Sequence, residues 1–240
     1  MSKKLIDAIY ELDQAKVKKL LEKGSDPNLF YKGLSPLVEA CGKSTKAVVE
    51  ELLKAGAEVN QSDENFKHSP LTSACYAGNL EIAELLVDHG ADVNYSKENV
   101  STPLSEAASG AGKEREAMVE FLLQVGADAK AVFYSQLGVA VSNVLMTACE
   151  LGSPETVHPL IKAGAPVNQK LFFGTPLISA VKEGNAEIVR VLLENGADPL
   201  ISAPDDPKLP EIRGKNAIEL AIQKRKKKVI SVFQEFGFLK

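Results

Sequence analysis

One interval governs what this chain can fold into: an apolar marker and a glycine recur at a fixed separation along its 240 residues. Leu5 leads Gly24 by 19 residues, and the same spacing joins Leu37 to Gly56, Leu71 to Gly90, Leu145 to Gly164, Leu177 to Gly196 and Ile218 to Gly237. Leu104 leads Gly126 by 22. An alanine follows each marker at a constant offset: Ala8, Ala40, Ala74, Ala107, Ala148, Ala180 and Ala221. A spacing kept in six of seven units reflects repetition of one supersecondary element. Such an element buries its apolar face only by stacking on its neighbours.

Within each unit the pattern is helical. Ahead of the glycine, Val48, Val49, Leu52 and Leu53 fall on one face of an α-helix, as do Met118, Val119, Leu122 and Leu123, and Ile188, Val189, Leu192 and Leu193. The glycine suits the left-handed residue that ends a helix, where a Cβ is penalised. The marker opens a shorter, earlier helix, and its alanine lets two helices approach closely. Each unit therefore reads as helix, turn, helix, glycine stop and extended stretch.

Two short motifs recur in register with this period. Thr102-Pro103-Leu104 and Thr175-Pro176-Leu177, with Ser-Pro-Leu at Ser35 and Ser69, open units; Gly90-Ala91-Asp92-Val93-Asn94 closes one. Threonine or serine suits a helix N-cap and proline the first helical position. Together they resemble the ankyrin repeat, from Thr-Pro-Leu-His to Gly-Ala-Asp-Val-Asn, over nearly the whole chain. The resemblance implies an all-α ankyrin-repeat solenoid of helix-turn-helix units with β-hairpin-like fingers. About seven units would form a single domain over 1–240, at roughly 1–28, 29–60, 61–94, 95–130, 131–168, 169–199 and 200–240. The first and last read as caps, because Lys16 and Gln234 replace apolar residues of the inner units. The chain departs from the family at the histidine, where it has Val38, Thr72, Ser105, Met146, Ile178 and Glu219. Hydrogen bonds made by that histidine must be absent or met otherwise.

The array also departs from its own rule. The interval from glycine to the next marker lengthens from Gly126 to Leu145 and from Gly196 to Ile218. Two enlarged β-hairpin fingers are expected, at 127–144 and 197–217, the second holding Pro199, Pro204, Pro207 and Pro210. Insertions in repeat arrays map to loops, where function concentrates. Of nine Phe and five Tyr, eight lie in the extended stretches: Phe30, Tyr31, Phe66, Tyr95, Phe133, Tyr134, Phe172 and Phe173. Tyr10, Tyr76 and Lys182 fall two residues after their marker alanines. The resemblance implies that finger tips and the concave face of the first helices bind partners. These eleven residues are thus the expected contact surface for another protein, since aromatic anchors dominate interface energies. The competing reading packs several of them under neighbouring fingers.

Other constellations carry less chemistry. Cys41, Cys75 and Cys149 each follow a marker alanine, as Ala108 and Val181 do, so one buried slot accounts for all three. His68, His89 and His158 lie in different units, with no ligand spacing and no metal site implied. Gly110-Ala111-Gly112-Lys113 lacks the glycine spacing and the Ser or Thr of a phosphate loop. Lys224-Arg225-Lys226-Lys227-Lys228 falls in the turn of the last unit, a solvated cap or else a localisation signal or a patch for an acidic partner; Asp205 and Asp206 could offset it. Asn60, Asn94 and Asn168 close their units; animal ankyrin-like proteins can carry hydroxylation there, but a structural role in the turn is preferred.

A net charge of -4 gives no general attraction to nucleic acid or anionic lipid, and no apolar run reaches membrane-spanning length. Asp7, Glu11 and Asp13 interrupt any export signal, and three dispersed cysteines suit a reducing compartment. The expectation is a cytoplasmic, monomeric, non-enzymatic adaptor or scaffold without cofactor; delivery into a host cell as an effector is the other location considered. The rival readings are a small-molecule or enzymatic role in the enlarged fingers, and self-association through the 127–144 finger.

Overall fold

The computed structural model describes residues 2–43, 45–65, 67–96, 101–110 and 114–240, and has two compact units, Met1–Ala127 and Asp128–Lys240. In the first, helices alternate between two layers. The inner layer holds α1 (Ser2–Tyr10), α3 (Pro36–Lys43), α5 (Pro70–Ala77) and α7 (Pro103–Ser109). The outer layer holds α2 (Gln14–Glu22), α4 (Lys46–Lys54), α6 (Leu80–Asp88) and α8 (Arg115–Gln124). Inner helices stack α1 on α3, α3 on α5 and α5 on α7, while α2, α4 and α6 stack behind them. The second unit opens with an antiparallel pair, β1 (Val132–Tyr134) and β2 (Ala140–Asn143). There the inner helices are α9 (Val144–Leu151), α11 (Pro176–Glu183) and α13 (Ala217–Gln223). The outer ones are α10 (Pro154–Lys162), α12 (Ala186–Glu194) and α14 (Lys227–Glu235).

The markers form the core, as their spacing requires. Leu5, Leu37, Leu71, Leu104, Leu145 and Leu177 are at most 1% exposed, and every marker alanine is buried. Val48, Val49 and Leu52 are wholly enclosed, but Leu53 is half-buried, so the outer stripe is three residues wide there. At the ends Lys16 and Gln234 face solvent while Val17 and Phe233 are enclosed, as expected of polar caps.

The helix starts answer the missing histidine. Ser69, Thr102, Asn143, Thr175 and Asn216 each accept a hydrogen bond from the backbone N–H three residues on. Ser105 and Glu219, standing where the family has histidine, accept in return from the N-cap N–H and close capping boxes. Ser35 departs from the expected capping role, donating instead to Gln61 Oε1 at 3.2 Å.

An asparagine clamp joins successive repeats. In the first unit Asn28 Nδ2 donates to the Gly56 carbonyl at 2.9 Å and its Oδ1 accepts from Glu58 N–H at 2.8 Å; Asn60 does the same with Gly90 and Asp92. In the second unit Asn168 clamps Gly196 and Asp198, both at 2.8 Å. The rung is missing where Leu200 takes the asparagine slot and again at Lys130, the second time for a legible reason. Lys130 stands in the asparagine slot, and Pro166, with no N–H to offer, stands where Glu58, Asp92 and Asp198 donate. The Lys130 stem lies along Gly164 instead, its Cε 3.5 Å from where a Cβ would be.

The two enlarged segments are built differently. The 127–144 segment is the expected hairpin, with Val132 opposite Asn143, Phe133 opposite Ser142 and a bulge before Tyr134. The 197–217 segment is not a β-hairpin. It has no strand, and it closes through Ala203 N–H to Lys215 O at 2.8 Å and Gly214 N–H to Pro204 O at 3.1 Å. Its four prolines remove ladder donors, and buried Ala203 and Ile212 pin it by apolar contact instead.

Candidate functional site

On the inner face of the first unit, Tyr10 is 45% and Tyr76 58% exposed. Tyr10 is engaged: its hydroxyl donates to Glu39 Oε2 at 2.6 Å, Lys43 Nζ lies 3.0 Å from the same oxygen, and that ammonium sits 4.6 Å from the Tyr10 ring centroid. Partial burial and the Glu39 hydrogen bond raise the Tyr10 pKa, and the hydrogen bond to Glu39 raises that of Lys43. Tyr76 borders a hollow of about 370 Å³ with Val38, Gly42 and His68. A Cβ at position 42 would come within 2.7 Å of Ser73 Oγ, so that hydroxyl would have to turn away from the Val38 carbonyl it donates to.

The finger aromatics do not form one exposed row. Phe30, Tyr31, Tyr95 and Phe172 are half-buried, and Phe66 lies outside the described residues. The Tyr95 hydroxyl is enclosed without a hydrogen-bond partner among the described residues. Phe133 is only 6% exposed, which corrects its expected place on a contact surface: strand alternation turns Phe133 inward and its neighbour Tyr134, 42% exposed, outward. Phe172 and Phe173 meet edge-on, their centroids 5.3 Å apart at 70°. Their N–H groups donate to Ala140 and Val141 carbonyls of β2 at 3.1 and 3.3 Å, so the hairpin braces the tip that presents Phe173, which is 41% exposed.

The second unit brings Phe173 and Lys182 together. They line an open groove of about 560 Å³ with Glu150 of α9 and the segment Lys208, Leu209, Pro210, Glu211 and Ile212. Glu150 was within reach of sequence reasoning, for it stands two residues after Ala148, the position Tyr10, Tyr76 and Lys182 hold in their repeats. Leu209 and Pro210 arrive by the path of an irregular loop, which no period encodes. Glu150 Oε1 accepts from Ser179 Oγ at 3.0 Å, and Glu211 Oε2 lies 2.8 Å from Lys224 Nζ. The hydrogen bond from Lys224 holds the Glu211 carboxyl below its ordinary pKa, and the charges of Lys224, Lys182 and Lys215 add to that.

The basic run is partly absorbed by structure. Lys224 meets Glu211, and Lys226 Nζ donates to the Glu183 carbonyl at 3.2 Å, at the C-terminal end of α11. Asp205, expected to offset the run, pairs with Arg213 in its own loop; Glu211 offsets the run instead.

Cys41, Cys75 and Cys149 are free, buried thiols whose pKa values burial pushes up, which makes them inert at neutral pH. No group of three or more His, Cys, Asp or Glu could hold a metal among the described residues. Ala111, Gly112 and Lys113 lie outside them. No helix among the described residues is long and apolar enough to cross a membrane.

Known proteins match this architecture. A family model of three consecutive ankyrin repeats matches residues 5–97, 46–132 and 141–237. The chain belongs to the ankyrin-repeat family. The putative ankyrin repeat protein R664 of Acanthamoeba polyphaga mimivirus is 31% identical over 100 residues, a match spanning 35% of this ankyrin chain and 62% of that relative's length. The crystal structure of the human ASB11 ankyrin repeat domain superposes with a TM-score of 0.77 at 25% identity, covering 95% of this chain and 96% of that one. Ankyrin repeats are in general protein–protein interaction modules rather than enzymes.

Proposed function

We propose that this ankyrin chain is a non-enzymatic interaction module that holds a partner protein in the groove of its second unit and against the neighbouring finger tips. One observation carries the reading: Phe173, an aromatic side chain left exposed, is fixed at the rim of an open groove by Phe172 and by two backbone bonds to β2. A rigid aromatic beside a concavity is the form interface anchors take. The groove is open, which suits a protein segment better than a desolvated reaction. Buried reduced thiols fit a cytoplasmic setting, and a net charge of -4 gives no general attraction to nucleic acid or anionic lipid.

Affinity capture from the native host tests this, comparing the unaltered chain with Phe173→Ala combined with Leu209→Ala. Capture should be lost while helical content and melting temperature stay unchanged. Retained capture places the partner elsewhere.

The 127–144 finger favours a second reading, self-association, since Leu137 is 87% exposed beside Tyr134 and Val139. Light scattering over a concentration series decides it: a constant monomer mass removes this reading.

A further inference from the structure

The groove also carries a sign. Four apolar side chains, Phe173, Leu209, Pro210 and Ile212, share it with Glu150, Lys182, Lys208 and Glu211. Glu211 is charge-paired with Lys224, whereas Glu150 accepts from the neutral Ser179 hydroxyl and keeps its charge. The lysines are not so occupied. Lys208 has no carboxylate within ion-pair distance among the described residues, and Lys182 has only a 3.8 Å contact with its exposed neighbour Glu183. With Lys224 spent on Glu211, Lys215 adds further positive charge beside it. Lys182, Lys208 and Lys215 then stand against one lining carboxylate without a cationic partner among the described residues, Glu150, so a chain of net charge -4 presents here a groove with a small local excess of positive charge and an apolar floor. Such a field favours occupants of opposite sign.

We propose that the groove takes an extended segment of a partner protein in which a bulky apolar side chain is flanked by aspartate or glutamate. The apolar side chain lies against Phe173, Leu209 and Pro210, and the flanking carboxylates meet Lys182 and Lys208. This rests on the interaction-module reading and narrows it to one partner chemistry. Apolar burial supplies most of the affinity and the lysines supply selectivity, so binding weakens with salt without vanishing.

Selection of a random displayed peptide library on the full chain, followed by fluorescence anisotropy with the most enriched labelled peptide, tests it. Enriched peptides should place Asp or Glu within three positions of Leu, Ile, Phe or Trp. K182E with K208E should weaken the peptide at least tenfold, and Leu209→Ala should do likewise. Circular dichroism should be unchanged in both variants, and Lys130→Glu, outside the groove, should bind as the unaltered chain does. Polyuridylate RNA should displace the peptide poorly, because it lacks the apolar group. No enrichment, enrichment without acidic residues, binding indifferent to K182E/K208E, or equal displacement by RNA would each overturn the proposal. The host-capture result with Phe173→Ala and Leu209→Ala is independent of these readouts. A partner lost there, with no acidic preference here, sinks the peptide chemistry alone.

Discussion

Asn168 offers the most direct test of how the repeats are joined. Its amide donates to the Gly196 carbonyl and accepts from Asp198 N–H, both at 2.8 Å, and Asp198 in turn accepts from Leu200 N–H at 2.9 Å. Asn168→Ala removes two hydrogen bonds at the root of the loop that walls the groove. A net hydrogen bond contributes about 1 kcal/mol, which puts an upper figure near 2 kcal/mol. Asn168 and Asp198 face solvent, so water replaces part of what is lost, and a fall of about 1 kcal/mol is expected. Urea denaturation followed by far-ultraviolet circular dichroism reads this as a lower midpoint with an unchanged slope. Lys130 and Pro166 supply the converse test. Lys130→Asn alone can recover only the bond to the Gly164 carbonyl, because Pro166 has no N–H. Adding Pro166→Asp should restore the full clamp and show favourable coupling of about 0.5–1 kcal/mol in a double-mutant cycle. A midpoint for Asn168→Ala equal to that of the unaltered chain, or strict additivity at 130 and 166, would refute the clamp.

Three further outcomes follow from burial and charge. Phe133→Ala should cost about 3 kcal/mol or more by leaving a cavity, whereas Phe173→Ala should change the melting temperature little. The Tyr10–Glu39–Lys43 cluster should add an alkaline component to stability. Both Tyr10 and Lys43 have raised pKa values, so their contribution is complete at neutral pH and is lost as pH rises above about 10. Denaturation between pH 8 and 11.5 should show a smaller alkaline component in Glu39→Gln, the share from burial of Tyr10 remaining, and an unaltered alkaline slope would count against the cluster. Cys41, Cys75 and Cys149 should react with a thiol reagent only on unfolding; rapid modification of the native chain would contradict their burial.

The repeat period made the helices, the core and the cysteine slot legible because each follows from a position counted along one unit. Leu5 through Leu177 had to be inward once the units stacked, and Lys16 and Gln234 had to end the array. The candidate site was legible only in part. Phe173 and Lys182 could be placed by register, but their meeting with Leu209 and Pro210 depends on a loop held by Ala203–Lys215 pairing and a buried Ile212. Phe133 and Tyr134 show the other limit. Both are aromatic residues of one finger, and only the hairpin register, with its bulge between them, decides which faces outward.

A partner seated in the groove beside Phe173 lies within crosslinking reach of that side chain. A photo-crosslinking benzoylphenylalanine placed at Phe173, and separately at Glu187 on the exposed side of α12, tests it inside the native host. A discrete crosslinked protein is expected from position 173 and none from 187. Crosslinking from 187 with none from 173 would contradict it.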